Sequence, residues 1–285
     1  MTEESIKSIF SKVNIKTKDI KRATNSFNSN VYIVLSDNNK KYILKFYKNE
    51  NKMVCESKYM IYLKNYLLVA DIITTGIFNG KYYTIQTFLE GENLFDEKAN
   101  ELNKIQINNI GVLLAKLHSV RTIDSDNWVN YLNECVDKTV GDLENVFGKK
   151  NNNIIYNYIK KYINDKVKNN YKSSVLHMDF RIGNLIFKKC NNVGLIDLES
   201  MKTGDYVFDF VKLNRILSED NFNILLNDYK NIKEIDNNFY EKLDFYSLFD
   251  SYTSLWWCIN KNQIDTDFYK LNYDIVINYL NKMID

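Results

Sequence analysis

Val31 to Leu35 and Tyr42 to Tyr47 are two short apolar and aromatic runs, the second broken only by Lys45, with the polar stretch Ser36-Asp37-Asn38-Asn39 between them. Two such β-branched and aromatic runs flanking a turn-forming segment predict a β-hairpin. The spacing then widens: Met53, Met60, Leu63 and Leu67 are apolar anchors at helical spacing and predict a helix over residues 51–66. A second hairpin is expected from Ile72 to Phe78 and Tyr82 to Leu89, joined at Asn79-Gly80, a dipeptide suited to a tight two-residue turn. After Gly91 the helical period dominates. Ile107, Ile110, Leu114 and Leu117 form one stripe. Residues 128–169 read as a helical segment, 185–198 as an isolated β patch, and the remainder as helices. This order predicts an α+β protein with a strand-rich lobe at 1–89, carrying one helix, and a larger, mostly helical lobe at 90–285. A cleft between the lobes is the expected site.

The chain has 285 residues, 45% hydrophobic and 26% charged, enough for real cores and outside the disordered range. The net charge of +2 gives no reason to expect a nucleic acid or an anionic membrane as partner. Its distribution changes the picture: residues 1–198 carry a net +8 and residues 199–285 a net −6, which suits a cationic partner as well as it suits solvated helix faces. Cys55, Cys135, Cys190 and Cys258 are scattered, with only two histidines in the chain. A zinc site or disulfide framework is therefore not expected, and free thiols in a reducing compartment fit better. The first ten residues contain no signal-peptide core, and no uncharged apolar run approaches the ~18 residues of a membrane span. A cytoplasmic location follows as the expectation, and nothing demands more than a monomer.

Chemistry concentrates in His177-Met178-Asp179-Phe180-Arg181-Ile182-Gly183-Asn184, followed by Leu185-Ile186-Phe187 and later Gly194-Leu195-Ile196-Asp197. Two short strands here, paired 188 with 193, would set Asn184 opposite Asp197. Opposed residues hold their Cβ atoms ~4.5–5.5 Å apart, so an amide oxygen and a carboxylate could share one hard cation such as Mg²⁺. Asp179, on the loop entering the hairpin, would be placed to accept a proton from a hydroxyl. The bland alternative is that these residues only cap and turn a hairpin.

The segment resembles the catalytic loop of the aminoglycoside phosphotransferase and choline kinase superfamily, relatives of protein kinases with the pattern His-x-Asp-x4-Asn. Ile196-Asp197-Leu198-Glu199 is similar to that family's metal-binding Ile-Asp-Phe/Trp-Glu. The resemblance implies a bilobal protein-kinase-like fold in which Asp179 is the base and Asn184 and Asp197 hold Mg²⁺. Arg181 would be a basic residue facing the γ-phosphate. Further likenesses extend it to about residues 22–215. Val112 to His118 resembles the family's Leu-Ala-x-Leu-His helix, although a structural role is the simpler reading of His118. Gly204-Asp205, followed by Asp209, resembles Gly-Asp-Pro-x-x-Asp with Tyr206 in place of proline, and Asp209 would then brace the catalytic loop.

On the nucleotide side, Lys45 interrupts the apolar strand Tyr42 to Tyr47, an expensive place for an ammonium without a partner. By resemblance it binds the α/β-phosphates and pairs with Glu56, whose Glu-x6-Leu spacing matches the family's helix. Thr87 to Leu89 looks like the hinge that meets the adenine edge. The phosphate-covering loop would lie in residues 24–30, with Ser26 and Asn28 as contacts, but it lacks the family's usual glycine. The implied co-substrate is ATP or GTP.

For the acceptor, Glu199, Asp205, Asp220 and Asp250 are acids that could grip a cationic small molecule such as an aminoglycoside-like or other aminated sugar, with antibiotic resistance as the implied role. Trp256 and Trp257, with Tyr246 and Tyr252, could instead wall a quaternary ammonium, which keeps choline or another amino alcohol as the alternative. A catalytically silent kinase-shaped binding or spore-coat protein is the alternative of another class.

Overall fold

The alternation of β3 decides where the chemistry goes, because it sends neighbouring side chains to opposite faces of one sheet. A computed structural model describes residues 1–23, 30–124, 127–189 and 192–284. In chain order the first elements are α1 (Glu3–Ser11), β1 (Thr17–Arg22), β2 (Asn30–Ser36), β3 (Lys41–Tyr47), α2 (Glu50–Leu63), β4 (Ile72–Phe78) and β5 (Lys81–Thr87). Next come β6 (Glu92–Asn93), a 3-10 turn at Asp96–Glu101, α3 (Lys104–Ser119), α4 (Trp128–Phe147), α5 (Lys149–Tyr162) and β7 (Ser173–Leu176). The chain continues with β8 (Leu185–Phe187), β9 (Val193–Leu195), β10 (Lys202–Asp205), α6 (Phe210–Ile216), α7 (Glu219–Lys230), α8 (Phe239–Asn260) and α9 (Asp267–Ile284). None of the described helices is long and apolar enough to cross a membrane.

Contacts divide the chain into two compact units. The first comprises Met1–Leu117, His177–Met201 and Ile216–Ile232, and the second His118–Leu176, Lys202–Arg215 and Lys233–Asp285. The first unit is built on an antiparallel five-stranded sheet in the order β1-β2-β3-β5-β4. Leu44 and Phe46 of β3 join Ile6, Ile9 and Phe10 of α1 in a core with Tyr32, Val34, Tyr83 and Ile85. Lys45, between Leu44 and Phe46, therefore belongs to the opposite face, against which α2 packs. Asn79 and Gly80 both take positive φ, 48° and 72°, the conformation a two-residue type I′ turn requires. A smaller sheet, β6-β8-β9, completes the unit with α3 and α7. The start of α3 is closed by reciprocal bonds: Asn103 Oδ1 accepts from Gln106 N and Gln106 Oε1 accepts from Asn103 N, at 3.0 and 2.9 Å.

The second unit is mostly helical, with one two-stranded ribbon, β10-β7. Gly204 lets β10 lie on the buried indole of Trp128, since an added Cβ would stand 2.4 Å from Trp128 Cε3. The helical segment expected over 128–169 consists of two helices that meet at Gly148, whose φ of +75° ends α4, followed by a π turn at Ile163–Val167. The helix α1 and the strands β1, β7 and β10 were not foreseen. With its antiparallel sheet first and its helices after, the fold class is the expected α+β one.

Candidate active site

Lys45 lies at the centre of the first unit's chemistry. It is 6% exposed, and its ammonium stands 2.7 Å from Glu56 Oε2, 2.6 Å from Asp197 Oδ1 and 3.1 Å from Glu199 Oε2. Its Nζ also lies 5.2 Å from the centre of the Tyr47 ring. Burial works against the Lys45 charge, but the three carboxylates outweigh it and hold the ammonium well above the ordinary lysine value. Helix α2 fixes the opposite wall. Glu56 Oε1 accepts the Leu198 N–H at 3.4 Å, Lys52 Nζ meets Ser200 Oγ at 2.6 Å, and the Cys55 thiol points at the Leu198 and Met201 carbonyls. Glu199, expected to grip an acceptor, belongs to this cluster: it lies between Lys45 and Lys52, 3.9 Å from the latter.

The β8–β9 hairpin corrects an expectation of register. Leu185 pairs with Leu195 and Phe187 with Val193, and Ile196 N donates to Asn184 O at 3.1 Å. Asn184 thus faces Ile196, one residue short of Asp197. The reason is the turn: Lys188 N donates to Asn192 O, which closes the hairpin one residue earlier than a pairing of 188 with 193. A one-residue slip normally turns a side chain to the other face. Asp197 meets Lys45 because its backbone is left-handed, φ 64°. Six described non-glycine residues have positive φ. Four are asparagines, which tolerate it, and the other two are Met178 and Asp197. Strain of this kind is retained where the surroundings over-determine it; here one instance lies inside the His177–Asn184 segment and the other directly follows the hairpin after it.

His177 explains part of that over-determination. Its Nδ1 accepts the Asp179 N–H at 3.3 Å, so the ring proton belongs on Nε2, which donates to Ile196 O at 2.9 Å. The imidazole ties the loop before Asp179 to the strand before Asp197. Asn184, 4% exposed, donates through Nδ2 to both the carbonyl and Oδ2 of Asp179, at 2.8 and 2.9 Å. Its amide is thereby oriented, with Oδ1 the remaining ligand atom. Arg181 Nε approaches the same Asp179 Oδ2 at 3.4 Å, and its Nη1 reaches Asp96 Oδ2 at 2.9 Å. Burial works against the guanidinium charge, and Asp179 and Asp96 outweigh it. Asp96 and Asn93 carried no sequence signal, being polar residues in a polar stretch.

The donor set suits a hard divalent cation. Ligand atoms of Glu56, Asp197 and Glu199 lie within 4.8 Å of one another, and every donor is oxygen, the preference of Mg²⁺ rather than of zinc. Burial pushes the Asp197 carboxyl up and Lys45 pulls it down; the ammonium prevails and holds it below the ordinary value. Its side chain stays 40% exposed, so the charged group can be reached from solvent.

The other expected contacts fall in different places. Thr87 N–H donates to Asp71 O at 2.9 Å and its hydroxyl accepts from Asp71 N, so that N–H is already committed and not open to an adenine edge. Leu89 lies over Gly194, where an added Cβ would come within 3.2 Å of its Cδ1. Ser26 and Asn28 lie outside the described residues. In the second unit, Asp205 is fully buried and bound by Lys242 at 3.2 Å, Tyr246 Oη at 3.1 Å and Val207 N at 3.3 Å. Asp250 is paired with Arg215 at 2.7 Å and 10% exposed. Both are corrected from acceptor ligands to internal braces. Tyr246 and Tyr252 are likewise core residues, bonded to Trp128 and Asn152. Trp256 is half-buried, its Nε1 donating to Asp142 at 2.7 Å and its ring face taken by Lys138 at 4.5 Å. His118 is buried and its Nε2 lies 3.2 Å from Asp209 Oδ2, a structural pair. Asp220 is exposed at the start of α7.

The sequence profile described as the phosphotransferase enzyme family matches residues 19–245. No curated protein sequence matches the chain. Among solved structures, the GDP and kanamycin complex of an APH(2″) enzyme superposes with a TM-score of 0.77 at 14% identity, covering 98% of this chain and 97% of that one. The streptomycin–ATP ternary complex of APH(2″)-IIa gives 0.71 at 16% identity, covering 98% and 96%. The macrolide 2′-phosphotransferase MphH from Brachybacterium faecium, an apoenzyme, gives 0.70 at 9% identity, covering 96% and 98%. These likenesses establish a common fold, the kinase-like one of the antibiotic phosphotransferases.

Proposed function

Since the chain belongs to the phosphotransferase enzyme family and transfers phosphate to a hydroxyl of a small molecule, we propose that its donor is ATP or GTP and its acceptor a cationic molecule of the aminoglycoside or other aminated-sugar class. The observation that carries this reading is the bond from Asn184 Nδ2 to Asp179 Oδ2, close enough to Asp197 for the two acids' charges to act on each other. A proton acceptor and a cation-seeking carboxylate then share one neighbourhood. For the acceptor, support comes from the net −6 of residues 199–285 and from the kanamycin and streptomycin seen in structural neighbours.

In this mechanism Lys45 orients the triphosphate. Asp179 aligns the acceptor hydroxyl and takes its proton as the new oxygen–phosphorus bond forms, while the bond to the nucleoside diphosphate breaks. Asn184 Oδ1 and Asp197 would hold Mg²⁺, with Glu199 beside them. When bound, the metal neutralises charge on the phosphates. Arg181 keeps positive charge beside Asp179. Positioning and charge do most of the catalytic work in such a transfer.

The test is a phosphorylation screen of aminated sugars, macrolides, choline, ethanolamine and small alcohols with ATP and GTP. Turnover confined to choline would reject the aminated-sugar reading. On the substrate found, Asp179→Ala should lower kcat by about a thousandfold with nucleotide affinity nearly unchanged. Near-normal turnover by that variant would sink the base assignment.

A further inference from the structure

Both oxygens of the Asp96 carboxylate end on the catalytic loop, although Asp96 stands 85 and 87 residues from its partners there. Oδ1 accepts the Gly183 N–H at 2.9 Å and Oδ2 accepts Arg181 Nη1 at 2.9 Å. Three residues earlier, Asn93 Nδ2 donates to the carbonyls of Gly183 and Leu185, each at 2.9 Å. Four hydrogen bonds thus clasp residues 93–96 to residues 181–185. Gly183 leaves room for the guanidinium: a Cβ there would lie 2.5 Å from Arg181 Nη1 and push that flexible group aside. The pair is partly shielded, with side chains 31% and 27% exposed.

Arg181 stands between two carboxylates and takes Asp96 at 2.9 Å and Asp179 at 3.4 Å. The closer partner restrains it. Without Asp96 the guanidinium has one carboxylate left, and closing on Asp179 would compete with the bond from Asn184 Nδ2 to the same oxygen. We propose that Asp96 is a positioning residue for phosphoryl transfer, which sets the direction of Asp179 and Asn184 by holding Gly183 and Arg181. This rests on the roles proposed above for Asp179 and Asn184.

The experiment uses the full chain with magnesium and ATP or GTP, reading transfer to the acceptor found by the screen and single-turnover hydrolysis, in which water is the acceptor. Asp96→Ala should lower kcat about thirtyfold and leave the nucleotide KM within about twofold. Asp96→Asn keeps an acceptor for Gly183 and should recover part of the loss. In an Arg181→Ala background the Asp96→Ala change should cost much less than alone, because the two residues act as one unit. Hydrogen exchange at the Gly183 amide should quicken in Asp96→Ala and stay slow in Asp96→Asn. Full wild-type kcat in Asp96→Ala would overturn the inference, as would full additivity with Arg181→Ala or a loss that merely tracks the unfolded fraction. A wild-type chain that transfers no phosphate would instead overturn the reading beneath it, with Gly183 exchange still reporting the clasp.

Discussion

Each unit contains a buried lysine among carboxylates, and the two clusters have opposite characters. In the first, Lys45 faces Glu56, Asp197 and Glu199, three acids for one buried ammonium, and Asp197 remains 40% exposed. In the second, Lys242 faces Asp205 at 3.2 Å and Asp236 at 2.9 Å. There Tyr246 and Val207 N supply further donors to Asp205, and Lys172 stands 3.6 Å from Asp236. Burial lifts the Asp205 carboxyl above its ordinary value, and Lys242 recovers only part of the cost. Similar groups therefore make an open, solvent-reachable cluster in one place and a closed brace in the other. What separates them is surplus negative charge with a path to solvent, against lone pairs already occupied inside a closed core.

The largest effect should come from breaking the open cluster. Asp197→Ala is expected to cut turnover by roughly a thousandfold, while Tm moves by only a few degrees; steady-state kinetics and calorimetry on one preparation would show the split. A collapse of stability with turnover per folded molecule intact would make Asp197 a brace like Asp205. Next is the closed cluster. Lys242→Met strands Asp205 in a core and should cost about 3–5 kcal/mol, on the order of 10 °C in Tm. The folded fraction should keep its kcat. A catalytic loss at full stability would erase the distinction.

The smallest effect concerns His118, in the same unit as the closed cluster. Burial lowers its pKa below the ordinary 6.5, against the pull of Asp209. The unfolded chain therefore takes up the proton first as pH falls. Stability should decline below about pH 6.5 by up to ~1.4 kcal/mol per pH unit, until the folded-state pKa is passed. His118→Gln should flatten that slope in urea titrations. An unchanged slope would mean that another group carries it.

Much of the open cluster was legible in the sequence, because an ammonium in an apolar strand calls for a partner, and the family resemblance supplied Glu56 on the next helix and Asp197 after the hairpin. The hairpins were readable from apolar runs joined by turn-forming residues, and α2 from its helical spacing. Register was not: whether β8 and β9 close at 192 or 193 depends on a short turn, and that one residue moves Asn184 from Asp197 to Ile196. Nor was the fate of Asp205, since Lys242, 37 positions later, meets it only through tertiary packing. Glu199 was read as an acceptor ligand although its spacing from Asp197 fits the same cation cluster. The strand β1 has no apolar alternation to find, and α1 carries its signal in three residues, Ile6, Ile9 and Phe10, which matter only once the sheet face they cover exists.

The seating of Trp128 on Gly204 has a practical corollary. All three indoles of the chain, at 128, 256 and 257, belong to the second unit. Selectively excited tryptophan fluorescence is therefore a one-sided reporter, with no indole in the unit around Lys45. Trp128, dry and bonded to Tyr246, should emit at the blue end, and Gly204→Ala should shift that band to longer wavelength by prising the ring from its seat.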